Sequence, residues 1–396
     1  MNDLFLTADI AGTGGVIKQS PEDFRVDEIP LYPPCGEGEH LYVTVRKTGL
    51  TTHQLIRKAA RVFDLKEREI GYAGLKDAQA TTCQTISLPL VAPEEAVQLG
   101  DDRIEVVSAI RHRNKLRLGH LAGNRFTIRI ADPQNGALSL AEQILSTLES
   151  KGVPNFFGSQ RYGGLENSHL IGEAILKEDF DLACRHLVGD PEKIEHPDWK
   201  EAAILFSQGE TAAALERLPQ HCRFERQLLS RLDRGQSSKK ALLSLPNNIL
   251  RLYLSAYQSA LFDRVVGMRL ATIDKIWPGD IACKHVNGAC FRVEAADEEQ
   301  LRADRFEISA TAPLFGHKVM LATGQSGILE QSLLDKEGLT LPDFKLGRGL
   351  AMAGERRPLR VPVTAIELSG DNDGLILSFT LPKGSYATSL LREIIK

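Results

Sequence analysis

The sequence predicts an α+β protein in two parts: sheet-forming pieces at both ends of the chain and a mostly helical stretch between them. Three observations predict this. Short alternating segments crowd the first 130 residues. The texture turns helical after Gly152-Val153-Pro154, and strand patterns return near residue 360. With 396 residues, 42% of them hydrophobic, the chain has room for two domains, or one large domain with an insertion, and needs no covalent staples to bury a core.

Leu41-Tyr42-Val43-Thr44-Val45 alternates and reads as a strand. Gly49 ends it, and Thr51-Thr52 supplies a helix N-cap. Leu55, Ile56, Ala59, Val62 and Phe63 then recur at helical spacing through Asp64. Ile70-Gly71-Tyr72 begins a short strand, Gly74 to Asp77 is a loop, and Thr82 to Leu88 is a second strand ended by Pro89. Asp77 therefore sits in a glycine-flanked loop between two strands. In Arg125 to Ile130, Phe126, Ile128 and Ile130 form one face and Arg125, Thr127 and Arg129 the other. An apolar back with a basic front suits a sheet that packs on a core and faces an anion. Leu138 to Leu148 is an amphipathic helix. Residues 165–215 read as several short helices. Asn248 to Leu270 is a long helix with Ile249, Leu252, Tyr253, Ala256, Tyr257, Ala260 and Leu261 on its packing face. A mixed stretch runs to about residue 350. Strands follow at Arg360 to Ile366 and Leu375 to Leu381, then a last helix from Ala387 to Ile395.

Composition narrows the function classes. The six cysteines form no Cys-x-x-Cys pair, and the ten histidines form no His-Glu-x-x-His, so neither a metal centre nor a disulfide framework is expected. There is no dinucleotide or P-loop signature, and no cofactor is expected. No run of about 18 apolar residues occurs, and Met1-Asn2-Asp3-Leu4 leads into no signal-peptide pattern. The expectations are no membrane partner, a cytoplasmic address and a monomer. The formal net charge of −4 argues against a non-specific nucleic-acid binder. Local basic clusters nonetheless occur at 111–129, 223–240 and 356–360, each either a solvated face or a contact for an anionic partner.

These readings alone give no reaction. Six ordered segments do. They are Pro21-Glu22-Asp23-Phe24-Arg25-Val26-Asp27-Glu28; Gly71 through Gln84, containing Gly74-Leu75-Lys76-Asp77; His112 through Gly119 followed by Gly123-Asn124-Arg125-Phe126; Val153 through Gly163; Leu254 through Phe262; and Leu381 through Glu393. Together they resemble the TruD family of tRNA pseudouridine synthases, from near residue 18 to the C-terminus. The resemblance implies a pseudouridine-synthase core on a mixed, largely antiparallel sheet, split between residues 1–153 and 351–396. A mostly helical α/β insertion, the TRUD domain, would occupy 154–350. It also implies a tRNA substrate, with uridine-13 of the D-arm as the target, flipped into a cleft between the two domains.

The implied reaction breaks the N1–C1′ bond of uridine, turns the uracil and joins C5 to C1′. It needs no redox partner and no water. Asp77 falls at the position of the family's catalytic carboxylate. An ionised aspartate there can attack C1′ or C6, or remove the C2′ proton; the alternative is a turn carboxylate in a Gly-rich loop. Flipping a base costs roughly a few kcal/mol, and a stacked aromatic returns about 1–3 kcal/mol. The resemblance puts Phe24, Asn124 and Tyr386 at substrate-contacting positions; the family pattern often has Phe where this chain has Tyr386. Phe126 is either a pocket wall or core packing, by its strand phase. Lys18 and Lys76 either pair with Asp77 or a phosphate, or are surface lysines. Two rival readings remain open: a catalytically silent RNA-binding module of the same fold, and an RNA hydrolase using Asp77 as general base.

Overall fold

The computed structural model describes residues 4–371 and 374–396. The described residues divide into two compact units, one of residues 5–153 and 361–396, the other of residues 154–360 with Leu4.

The first unit is built on an eight-stranded sheet. Its N-terminal part supplies β1 (Phe24–Pro30), β2 (His40–Thr48), β3 (Gly71–Tyr72), β4 (Thr81–Pro89), β5 (Ile104–His112) and β6 (Leu121–Ala131). The C-terminal part adds Thr364–Asp371 and Gly374–Pro382. The order runs Thr364–Asp371, Gly374–Pro382, β6, β1, β4, β2, β5, with β3 beside β4. β1 and β4 run parallel, and the other described pairings in this sheet are antiparallel, so the sheet is mixed and largely antiparallel as expected.

Side chains alternate across each strand, so register decides which residues meet on a face. Phe24 and Val26 of β1 stand beside Phe126 and Ile128 of β6, and Leu377 and Phe379 continue the row. This patch packs on Ile144, Leu145 and Leu148 of the helix Ala137–Lys151, and on Leu390 and Ile394 of the helix Ala387–Ile395. At the other end of the sheet Val43, Val45, Ile86 and Leu88 pack on Leu55, Ile56 and Ala59 of α1 (Thr52–Val62). Thr51 caps α1 reciprocally: its hydroxyl accepts from Gln54 N at 3.2 Å, while Gln54 Oε1 accepts from Thr51 N at 2.8 Å. The helix ends at Val62, before Asp64 at φ 50°, two residues earlier than its spacing suggests. Between these two apolar patches the same face turns polar, at Lys47, Thr82 and Gln84, all buried, and Thr52 at the start of α1 bonds to Gln84.

The second unit holds the short helices expected from 165 on, among them Ser168–Leu176, Phe180–Val188, Pro197–Ser207 and Thr211–Arg217, and the long helix Asn247–Arg269. Gly172 lets two of them cross closely: a Cβ there would sit 2.0 Å from Tyr253 O. The long helix buries Leu250, Tyr253, Leu254, Tyr257 and Leu261, whereas Leu252, expected on the packing face, is exposed. A four-stranded sheet, Glu355–Pro358, Ile308–Leu314, Ile281–Lys284 and Cys290–Arg292, completes the unit.

That sheet corrects two expectations. Residues 351–360 do not belong with the C-terminal sheet pieces, because Glu355–Pro358 pairs with Ile308–Leu314; the first unit resumes at Val361. The basic cluster at 356–360 is not a phosphate-facing surface. Arg356 is buried against Glu330 at 2.9 Å, and Arg360, 1% exposed, donates to Ala303 O at 2.7 Å. Among the described residues, no helix is long and apolar enough to cross a membrane.

Candidate active site

Asp77 lies in the loop between β3 and β4, over the polar gap between the two apolar patches. The loop is pinned from beneath. Lys76 N donates to Thr52 Oγ1 at 2.9 Å, and Thr52 Oγ1 donates to buried Gln84 Oε1 at 2.9 Å. The Lys47 ammonium, fully buried, bonds to Leu50 O and lies 3.5 Å from the backbone oxygen of Asp77. Burial, reinforced by the Lys76 charge and opposed by Asp77, pulls the Lys47 pKa down to about 8. With its backbone held, Asp77 keeps 55% of its side chain exposed.

Lys18, Phe24, Lys76 and Asn124 are linked to the loop through a chain of contacts. Lys18 Nζ stands 4.0 Å from Asp77 Oδ2 and 4.4 Å above the centre of the Phe24 ring. Lys18 adopts φ 61°, a left-handed conformation uncommon outside glycine, which marks a backbone held by its surroundings. Lys76 is not a surface lysine. Its side chain is 6% exposed, with Nζ 3.2 Å from Glu28 Oε2 and 2.6 Å from Asn124 Oδ1. Burial raises the Glu28 pKa, and the Lys76 ammonium opposes that rise.

Asn124 is half-buried on β6, opposite Glu28 of β1. Phe126 resolves to the core: it is 6% exposed, stacked on Phe379 at 5.2 Å and edge-on to Phe24. Phe24 is equally buried, so its stacking face is occupied by Lys18 in this structure. Tyr386 is half-buried and precedes the helix Ala387–Ile395; the strand before it pairs Leu381 with Asn124.

The basic front of β6 lies elsewhere. Strand alternation puts Arg125 and Arg129 on the face opposite Asn124 and Phe126. There Arg125 pairs with Glu367 at 2.9 Å and Arg129 approaches Asp23 at 3.9 Å. That front is neutralised by neighbouring acids rather than presented beside Asp77.

Sequence reading missed Glu28, Lys47 and Gln84 as parts of the site. The signal was available. Lys47 continues the buried phase Leu41, Val43, Val45; Gln84 shares the phase of Ile86 and Leu88; Glu28 shares that of Phe24 and Val26. A charged or amide side chain on the apolar phase of a strand needs a partner, and here the partners form the floor of the Asp77 loop.

The arrangement joins a partly exposed carboxylate, an ammonium 4.0 Å away, and an amide fixed by a buried ion pair. That equips an α+β protein to act on a group close to one carboxylate. The family model for tRNA pseudouridine synthase D matches residues 1–394. A protein of that name from Syntrophotalea carbinolica is 57% identical over 392 residues, covering 99% of this chain and 98% of its own. One from Geotalea daltonii is 51% identical over 393 residues, covering 99% of each. A solved structure from Methanosarcina mazei, described under the same family name, superposes with a TM-score of 0.87 at 28% identity, covering 99% of this chain and 95% of that one. The chain belongs to the tRNA pseudouridine synthase D (TruD) family.

Proposed function

We propose that this protein isomerises uridine to pseudouridine in transfer RNA, at uridine-13 of the D-arm, with Asp77 as the catalytic carboxylate. The observation that carries the reading is the Asp77 loop: its backbone is fixed by Lys47 and Thr52 while the carboxylate stays accessible beside Lys18. An enzyme that must reach C1′, C6 or the C2′ hydrogen of a flipped nucleotide needs a carboxylate that does not wander. The ammonium of Lys18 lies 4.0 Å from that carboxylate. Asn124 and Tyr386 contact the uracil in this reading, and Phe24, Phe126 and Lys76 act from behind, by shaping the wall on which those contacts stand. The unit of residues 5–153 and 361–396 is the catalytic domain, and the unit of residues 154–360 is the family's insertion.

Incubation with unmodified transfer RNA, followed by carbodiimide modification and primer extension, tests this reading. A new stop at uridine-13 with an intact strand is the expected result. Free uracil or a cut strand would point to hydrolysis, and bound but unchanged RNA to a silent binding module.

A further inference from the structure

Asn124 carries an ambiguity common to all asparagines: its amide can present either an oxygen acceptor or an N–H donor, depending on a half-turn. In this protein the neighbours remove the ambiguity. Lys76 Nζ lies 2.6 Å from one end of the amide. An ammonium has three donors and no acceptor, so the end that faces it must be Oδ1. Lys76 is itself fixed, by Glu28 at 3.2 Å in a site where both side chains are at most 6% exposed. The same lysine's backbone N–H donates to Thr52 Oγ1 at 2.9 Å, which anchors its backbone in the Asp77 loop. The far end of the amide, Nδ2, has no hydrogen-bond partner among the described residues, and Asn124 is only half-buried.

We propose that Glu28 and Lys76 are specificity-determining positioning residues, which lock the Asn124 amide so that it offers the flipped base an N–H donor and never an acceptor. Uracil presents a carbonyl oxygen at position 4, which accepts that donor. Cytosine presents an amine there, so donor meets donor and a buried polar group is left unmet. Lys76 acts through Asn124 and touches neither the base nor a phosphate. The proposal rests on the reading of Asn124 as a base contact, and the test separates the two.

Full-length protein carrying Asp77→Asn, which cannot turn the substrate over, is titrated with transfer RNA transcripts bearing uridine or cytidine at the target position. The uridine transcript is expected to bind roughly 10–100-fold more tightly, the range of one well-formed base-edge contact. In the same background Lys76→Met frees the amide to turn, and the ratio falls toward one, chiefly by gain of cytidine binding. Lys76→Arg, still a pure donor, restores the preference. Asn124→Asp leaves the lysine in place and offers the base only acceptors, so it shifts preference toward cytidine even if Lys76→Met fails to fold. A full uridine preference in folded Lys76→Met, with that preference lost in Asn124→Ala, would overturn the lock while leaving the base contact standing. An unchanged ratio in both Asn124 variants would remove the base contact, and the proposal with it.

Discussion

Lys47 is a residue whose chemistry the fold changes directly beneath the Asp77 loop. It is fully buried and its pKa is lowered to about 8, chiefly by desolvation. The unfolded chain holds that proton up to the ordinary lysine value near 10.4. Between these two values the unfolded state binds more protons than the folded one, so this group makes stability rise with pH across that window. Wild type is therefore expected to gain stability relative to Lys47→Met from about pH 8 to pH 10, by up to about 1.4 kcal/mol per pH unit. Urea unfolding of both proteins at several pH values measures it. A constant difference would mean that Lys47 does not titrate beneath the Asp77 loop.

The elements around the site depend on close backbone approach. Gly123 of β6 faces Leu381, and a Cβ there would lie 2.4 Å from Leu381 O. Gly123→Ala should push the strand Gly374–Pro382 away, displace neighbouring Asn124 and cost about 1–3 kcal/mol. Gly164→Ala, at a position with nothing within 4 Å of the added carbon, should change stability by less than about 0.5 kcal/mol. Thermal unfolding and pseudouridine formation, measured on both, check this. At this scale the sequence was informative where period and punctuation agree. The alternation of β6, the Thr51 cap and the helix Ala387–Ile395 all stand where they were read. It was uninformative where pairing partners come from afar. No local pattern says that Arg356 pairs with Glu330, 26 residues away, or that Glu28 will meet Lys76. The basic front of β6 was correctly read as a face, yet its charges are neutralised by Glu367 and Asp23, which only the tertiary fold supplies.

At the scale of the whole molecule, the formal net charge of −4 and the internal pairing of arginines set the electrostatics of RNA binding. Arg113 is engaged by Glu37, Arg125 by Glu367 and Arg356 by Glu330. A protein making 6–10 phosphate contacts loses roughly 10³–10⁵ in affinity between 50 and 200 mM salt. This one is expected to lose less than about 10³ over that range, because fewer cations are available to displace counterions. Filter binding of transfer RNA across that salt series gives the slope. A slope as steep as that of a highly basic binder would show that the acids release their arginines on contact with RNA.

The central claim is that Asp77 performs chemistry on the uridine rather than bracing a loop. Forming the carbon–carbon bond at C5 must expel the hydrogen held there, so tritium release from RNA labelled at uridine C5 reports the reaction directly. Release by wild type and none by Asp77→Asn, with RNA binding retained, is the predicted result. Release by Asp77→Asn at the wild-type rate would contradict the account.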